Sequence, residues 1–178
     1  MMLATPKGMR AAADIQVGDF LRSTAGGPVT VVARREVSDG ADWVRIPPLA
    51  LGNRREVFVA QGQNILIESS YGARIVGSVA VVVPALALHH WRGIKLRAPG
   101  LNAPRLGVSF TLSRPALVLG CAGVMIAFDG PANDMLDTAD LPPVPALSLG
   151  SAQQLTACLM AYEAGLALGR MRPQTAVF

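Results

Sequence analysis

Residues 4–35 read ATPKGMRAAADIQVGDFLRSTAGGPVTVVARR. Pro6, Lys7 and Gly8 carry a turn signal. Ile15 and Val17 alternate with Gln16 and lead into Gly18-Asp19, a pair suited to a bend. Phe20-Leu21 resumes the apolar pattern, and Ala25-Gly26-Gly27-Pro28 closes a second turn. Val29, Val31 and Val32 follow as a β-branched run. The stretch predicts short strands around tight corners, with Asp19 accepting from backbone amides of its own bend.

The same punctuation continues downstream. Trp43, Val44 and Ile46 predict a strand stopped by Pro47-Pro48. Further strands are predicted at Val57–Val59, Ile65–Ile67 and through the β-branched stretch Ile75–Val83. Pro84 suits the first turn of a short helix, Ala85–His90. Lys95–Gly107 contains Pro99-Gly100 and Asn102-Ala103-Pro104 and reads as a loop. Val108–Leu112, Leu117–Leu119 and Val124–Phe128 read as strands, the last two joined through Gly120–Gly123. After the Pro142-Pro143-Val144-Pro145 run the apolar period changes. Leu155, Cys158, Leu159, Tyr162 and Leu166 recur at helical spacing, behind a Ser151/Gln154 capping box.

The 178-residue length suits one domain with a substantial core. Hydrophobic residues make up 51% and charged residues 16%, which excludes a disordered chain. The apolar runs Ile75–Leu88 and Pro115–Phe128 fall short of the roughly 18–20 residues of a spanning helix. No secretory leader is visible, so the expected compartment is the cytoplasm, with a signal-independent secretion route left open. Cys121 and Cys158 sit among apolar residues and are expected as buried, unpaired, unreactive thiols.

The stretch at 4–35 resembles the opening of Hint domains, the self-processing modules of hedgehog proteins and inteins, and most of all their bacterial relatives. Val44-Arg45-Ile46, Ala50-Leu51-Gly52 and Val57-Phe58-Val59 are similar to the family's "VRI … ALG … LLVSP-x-H" region. Val82-Val83-Pro84-Ala85 with Leu86 and Leu88 resembles its "LVPA-x-x-L" segment, and Val108–Phe128 with Asp129-Gly130-Pro131 its closing strands. The resemblance covers roughly residues 4–140. It implies a mainly β fold, a compact Hint-like disc of short strands, to which this chain adds a C-terminal amphipathic α-helix. The expected division is a Hint-like β domain at 1–141, a proline-rich linker at 142–150, and a helix at 151–172 packed on the domain or on a partner subunit.

The family's chemistry uses a cysteine thiol that attacks the preceding peptide carbonyl. A histidine, preceded by a hydroxyl residue, assists the leaving nitrogen. The resemblance puts the cysteine position before Met1, the hydroxyl position at Ala60 and the histidine position at Gln63. A carboxamide donates and accepts hydrogen bonds but shuttles no proton near neutral pH. The expectation is therefore a catalytically degenerate module that has lost autoprocessing, with a structural or binding role.

Two alternatives stand beside it. One is an active hydrolase or autoprocessing enzyme with a relocated site around Cys121, His89 and His90. Adjacent histidines on one element are expected to point apart, without the i, i+4 spacing of a metal pair. The other is an Arg-mediated binder of an anionic partner. The net charge is +4, and the local cluster is Arg92, Lys95, Arg97 and Arg105 beside Trp91, too thin for a nucleic-acid face. Asp134, Asp137 and Asp140 lack the order of a calcium loop and read as a solvated edge. The reading leans away from an enzyme. It assigns no catalytic, cofactor or metal residues, no nucleic acid and no membrane span. It allows an unknown protein partner or a homodimer through the terminal helix.

Overall fold

The computed structural model describes residues 1–37, 43–97, 107–130 and 144–167. The chain opens with a hairpin of Met2–Thr5 (β1) and Gly8–Ala11 (β2). Its turn is closed by Thr5, whose Oγ1 donates to the Gly8 carbonyl at 2.7 Å and accepts from the Lys7 amide at 3.2 Å. Phe20–Arg22 (β3) and Pro28–Val37 (β4) make the next hairpin. Gly26 and Gly27, at φ +91° and +82°, supply the left-handed backbone that its turn requires. Asp19 accepts the Gln16 amide at 2.8 Å, as expected of its bend, and also pairs with Arg10 at 2.8 Å.

Trp43–Ile46 (β5) pairs with Val57–Ala60 (β6), and Asn64–Glu68 (β7) follows. A short helix, Gly72–Val76 (α1), precedes Ala80–Pro84 (β8). The expectation of one β-branched stretch across 75–83 is corrected here. Gly77 at φ +74° ends the helix and divides the run. Lys95–Arg97 (β9) pairs with β5, where a loop was expected, because the Lys-Leu-Arg alternation serves a charged edge strand. Gly107–Leu112 (β10), Ala116–Leu119 (β11) and Met125–Phe128 (β12) complete the strands among the described residues.

The fold is mainly β with one long C-terminal helix. Its sheets run β1-β2, β10-β4-β3, β11-β12-β7-β8 and β6-β5-β9. They bury a main core that includes Leu3, Ile15, Leu21, Ile65, Leu112 and Ile126, and a smaller cluster of Leu66, Val82 and Leu117. The first hairpin docks late in sequence, Leu3 bridging to Gly120. A side chain at Gly120 would meet the Val124 carbonyl at 3.0 Å, so this approach requires glycine.

The β4–β10 ladder carries a bulge. Leu112 pairs with Val31 and Thr111 with Ala33, leaving Val32 as the extra residue. Before it, Val29 and Val31 face the core; after it, Arg34 lies opposite buried Phe110. The bulge thus turns an arginine toward the interior. Arg34 is held by Glu36 at 3.0 Å and by the Ala13 carbonyl at 3.5 Å.

Leu149–Ala167 (α2) packs on its own chain, against α1, β8 and the turns Ala85–Leu88 and Trp91–Gly93. Ala152, Leu155, Thr156 and Leu159 are its buried residues. The helix begins before the expected capping box. Ser148 is the cap, its Oγ accepting the Ser151 amide at 3.2 Å. At 100° per residue, Cys158 sits about 100° from the buried Leu159. It is exposed, which corrects the expectation of a buried thiol. From Ala157 to Ala164 the outward face carries no charge, so the helix is less amphipathic than its spacing suggested. The segment before the helix shields the edge of β8. The Val82 amide donates to the Pro145 carbonyl, and the Leu147 amide to the Val82 carbonyl, each at 2.9 Å. No described helix is long and apolar enough to cross a membrane.

Candidate functional site

Ala60 ends β6 and Gln63 lies in the turn that leads to β7, and both line a cleft of about 670 Å³. Met1, the end of β12 at Phe128-Asp129, and Val108 to Phe110 of β10 complete its walls. The turn is held by backbone bonds. The Gln63 amide donates to the Ala60 carbonyl at 3.0 Å, and the Gln63 and Gln61 carbonyls accept from Ala85 and Leu86 at 2.9 and 3.0 Å. Ala85, Ala87 and Leu88 are buried beneath α2, so the helix buttresses the turn that forms one wall of the cleft.

The side chain of Gln63 is itself tied down. Its Nε2 donates to the Ala127 carbonyl at 3.1 Å and to the Asn64 carbonyl at 3.3 Å. The carboxamide stitches β7 to β12 where that pairing is short, only Ile126↔Ile65 and Ala127↔Asn64. Ala60 offers no hydroxyl. The remaining polar groups in the cleft include Arg35, Glu36, Gln61, Asn64, Ser109 and Asp129. No histidine or cysteine is among its described lining residues. This set can form hydrogen bonds and hold charge, and no imidazole stands among the described lining residues.

The other candidates are placed elsewhere. The His89 and His90 rings are 3.7 Å apart and tilted by 52°. The expectation that they point apart is corrected. His90 has φ +75°, and this left-handed step swings consecutive side chains to one side. Burial, with the neighbouring His90 charge as a second cause, holds His89 below the usual histidine range. Among the described residues, no cluster of three or more His, Cys, Asp or Glu is arranged to hold a metal. Lys95 and Arg97 are exposed on β9. The Cys121 side chain, Arg105 and the Asp134, Asp137 and Asp140 segment lie outside the described residues.

Sequence reasoning missed the role of Arg92, which belongs to a tie. Arg92 donates through Nε and a terminal nitrogen to Glu163 of α2 at 2.9 and 2.7 Å, and through its other nitrogen to the Ala50 carbonyl at 3.1 Å. The buried Trp91 indole N–H donates to the same carboxylate at 3.0 Å. Arg92 stands at φ +49°, a conformation costly to any residue with a Cβ unless its surroundings hold it. The one local signal was Glu163, the sole charge in an otherwise neutral helix.

No protein-family model matches the chain, and no curated protein matches it. Among solved structures the chain is similar to the MchDnaB-1 intein, at 20% identity over 70% of this chain and 94% of that one, with a TM-score of 0.44. A second structure of that intein matches at 21% identity over 72% and 95%, with a TM-score of 0.44. The Msm DnaB1 intein splicing domain bound with zinc matches at 18% identity over 72% and 95%, with a TM-score of 0.42.

Proposed function

We propose that this chain is a Hint-like module that has lost self-processing and serves as a binding module for another protein. The observation that carries the reading is Gln63. At the position where the family resemblance expects an imidazole stands a carboxamide whose nitrogen is engaged by two backbone carbonyls. A group so engaged stabilises the strand junction and transfers no proton. Ala60 removes the hydroxyl that would accompany it. Groups that act as a unit are lost as a unit, so one remaining polar neighbour does not restore the reaction.

The full chain incubated with dithiothreitol or hydroxylamine is expected to keep a constant intact mass over days. Time-dependent, thiol-accelerated loss of an N-terminal fragment in the mass spectrum would overturn the reading.

A further inference from the structure

The chain has two histidines, and the fold sets one ring against the other, with centroids 3.7 Å apart. Consecutive side chains of a regular strand point to opposite faces. Here His90 stands at φ +75°, a conformation costly to a residue with a Cβ and held only by its surroundings. The His89 amide donates to the Leu86 carbonyl at 3.2 Å, and the His90 amide to the Ile94 carbonyl at 2.8 Å. The pair is thus the joint between two short turns, Ala85–Leu88 before it and Trp91–Gly93 after it. Each turn has its own attachment. Ala85 and Leu86 hold the Gln61–Gln63 turn of the cleft wall through their amides, at 2.9 and 3.0 Å. Trp91 and Arg92 hold Glu163 of α2. A movement at the joint therefore reaches both.

Protons supply the force. Two neutral imidazoles tolerate this contact, whereas two imidazolium ions repel each other across it. His90 is exposed, but His89 is partly buried, and its charged form gains by moving into water. That movement pulls on the bond from the His89 amide to Leu86, the closing bond of the first turn. Burial and the His90 charge already hold His89 below the usual histidine range. Among the described residues, α2 and β8 are the main elements packed on these turns. β8 has no charged or titratable side chain, and α2 has Cys158, Tyr162 and Glu163. Glu163 is already engaged by Trp91 and Arg92. Arg92 and Lys95, the charged residues that follow the pair, are both positive.

We propose that the His89–His90 pair is an acid-sensitive joint: when both rings are protonated they part, the step at His90 relaxes, and the cleft wall and the α2 tie loosen together. Above neutrality the rings pack and both attachments are firm. As pH falls, the separated arrangement takes up the second proton more readily, so acid shifts the population toward it. The joint is independent of the non-processing reading.

Nuclear magnetic resonance on the full chain tests it. The ring protons of the pair should titrate in two steps, the second about one pH unit or more below the ordinary 6.5. Between about pH 7.5 and about pH 5, amide exchange at Ala85, Leu86 and His90 should speed about fivefold or more, after correction for its intrinsic pH dependence. The Trp91 indole N–H signal should shift over the same range. The Thr24 amide, bonded to the Leu117 carbonyl, and the Leu112 amide, bonded to the Asp129 carbonyl, should keep their protection. His90→Gln and His89→Gln each leave one ring to be charged, and each should abolish the change at Ala85, Leu86 and Trp91. Four results would overturn the proposal. They are two rings titrating together near the ordinary value, rings that part with Ala85, Leu86 and Trp91 unmoved, a change that persists in both variants, and protection lost everywhere at once.

Discussion

Two regions hold this molecule in different ways. Around α2, side chains do the tying. Glu163 gathers Trp91 and Arg92, Tyr71 and Tyr162 stack at 3.9 Å, and Leu155 and Leu159 are almost wholly buried. Around the cleft, the ties are between backbone groups, and Gln63 is a side chain recruited to help them. The first arrangement fixes one geometry through shape and charge. The second frames a cleft of about 670 Å³. Both regions meet at the Ala85–Leu88 turn, which α2 covers and from which the Gln61–Gln63 turn hangs. Rigidity on one side therefore supports openness on the other.

The contrast breaks most sharply at Leu159. It is 2% exposed, and Leu159→Asp replaces a buried hydrophobe with a carboxylate. Burying a leucine is worth roughly 1.5–3 kcal/mol, and the unpaired charge adds to the loss. The melting temperature should fall by about 10 °C or more in calorimetry. A shift under about 2 °C would mean that the helix does not dock as described.

Next is Glu163→Ala. It leaves the Trp91 indole N–H buried without its acceptor and Arg92 without its counter-ion. A loss of about 2 kcal/mol is expected in chemical denaturation. Glu163→Gln should recover part of it, since one carboxamide oxygen still accepts a bond. Equal stability of all three proteins would show that the tie contributes nothing.

Gln63→Ala sharpens the other half of the comparison. It removes a bond to the Ala127 carbonyl at a junction that stays partly wet, so about 1 kcal/mol is expected, or roughly 2–4 °C. The same change should leave α2 docked, read by unaltered fluorescence of Trp91. A larger loss than that of Glu163→Ala would reverse the ranking of the two regions.

The smallest effect concerns acid. His89 has its folded pKa lowered below the ordinary 6.5. The unfolded chain then binds the proton first as pH falls, so stability declines from about pH 6.5 down toward the lowered value and is retained above. His89→Gln should flatten that decline, seen as a narrower gap between melting temperatures at about pH 5 and about pH 7.5. An unchanged gap would assign the acid sensitivity to other groups.

The strands were legible because tight turns and β-branched runs are local signals. Gly26-Gly27 and the Val29–Val32 run mark β3 and β4 without any knowledge of the rest. The Val32 bulge was not legible, because an extra residue in a ladder is defined by its partner, Leu112, far along the chain. The Ile75–Val83 run misled because Gly77 was weighed as an interruption of a strand rather than as the end of a helix. The position of Gln63 was legible only through a motif, and its grip on Ala127 only through the fold. Cys158 illustrates a finer limit. Helical spacing marks a stripe, and the packing then decides how that stripe is rotated.

The bridge from Leu3 to Gly120 sets a clock on how the protein is made. At a synthesis rate of about 5–20 residues per second, roughly 6–24 s separate the emergence of the two partners. The first hairpin turns on itself at once and soon meets β3, but the β11 side of its docking site does not yet exist. Until β11 leaves the ribosome, the Leu3 core is incomplete and part of its apolar surface stays uncovered. A chaperone that favours short apolar strands would find its longest opportunity at this end of the nascent chain.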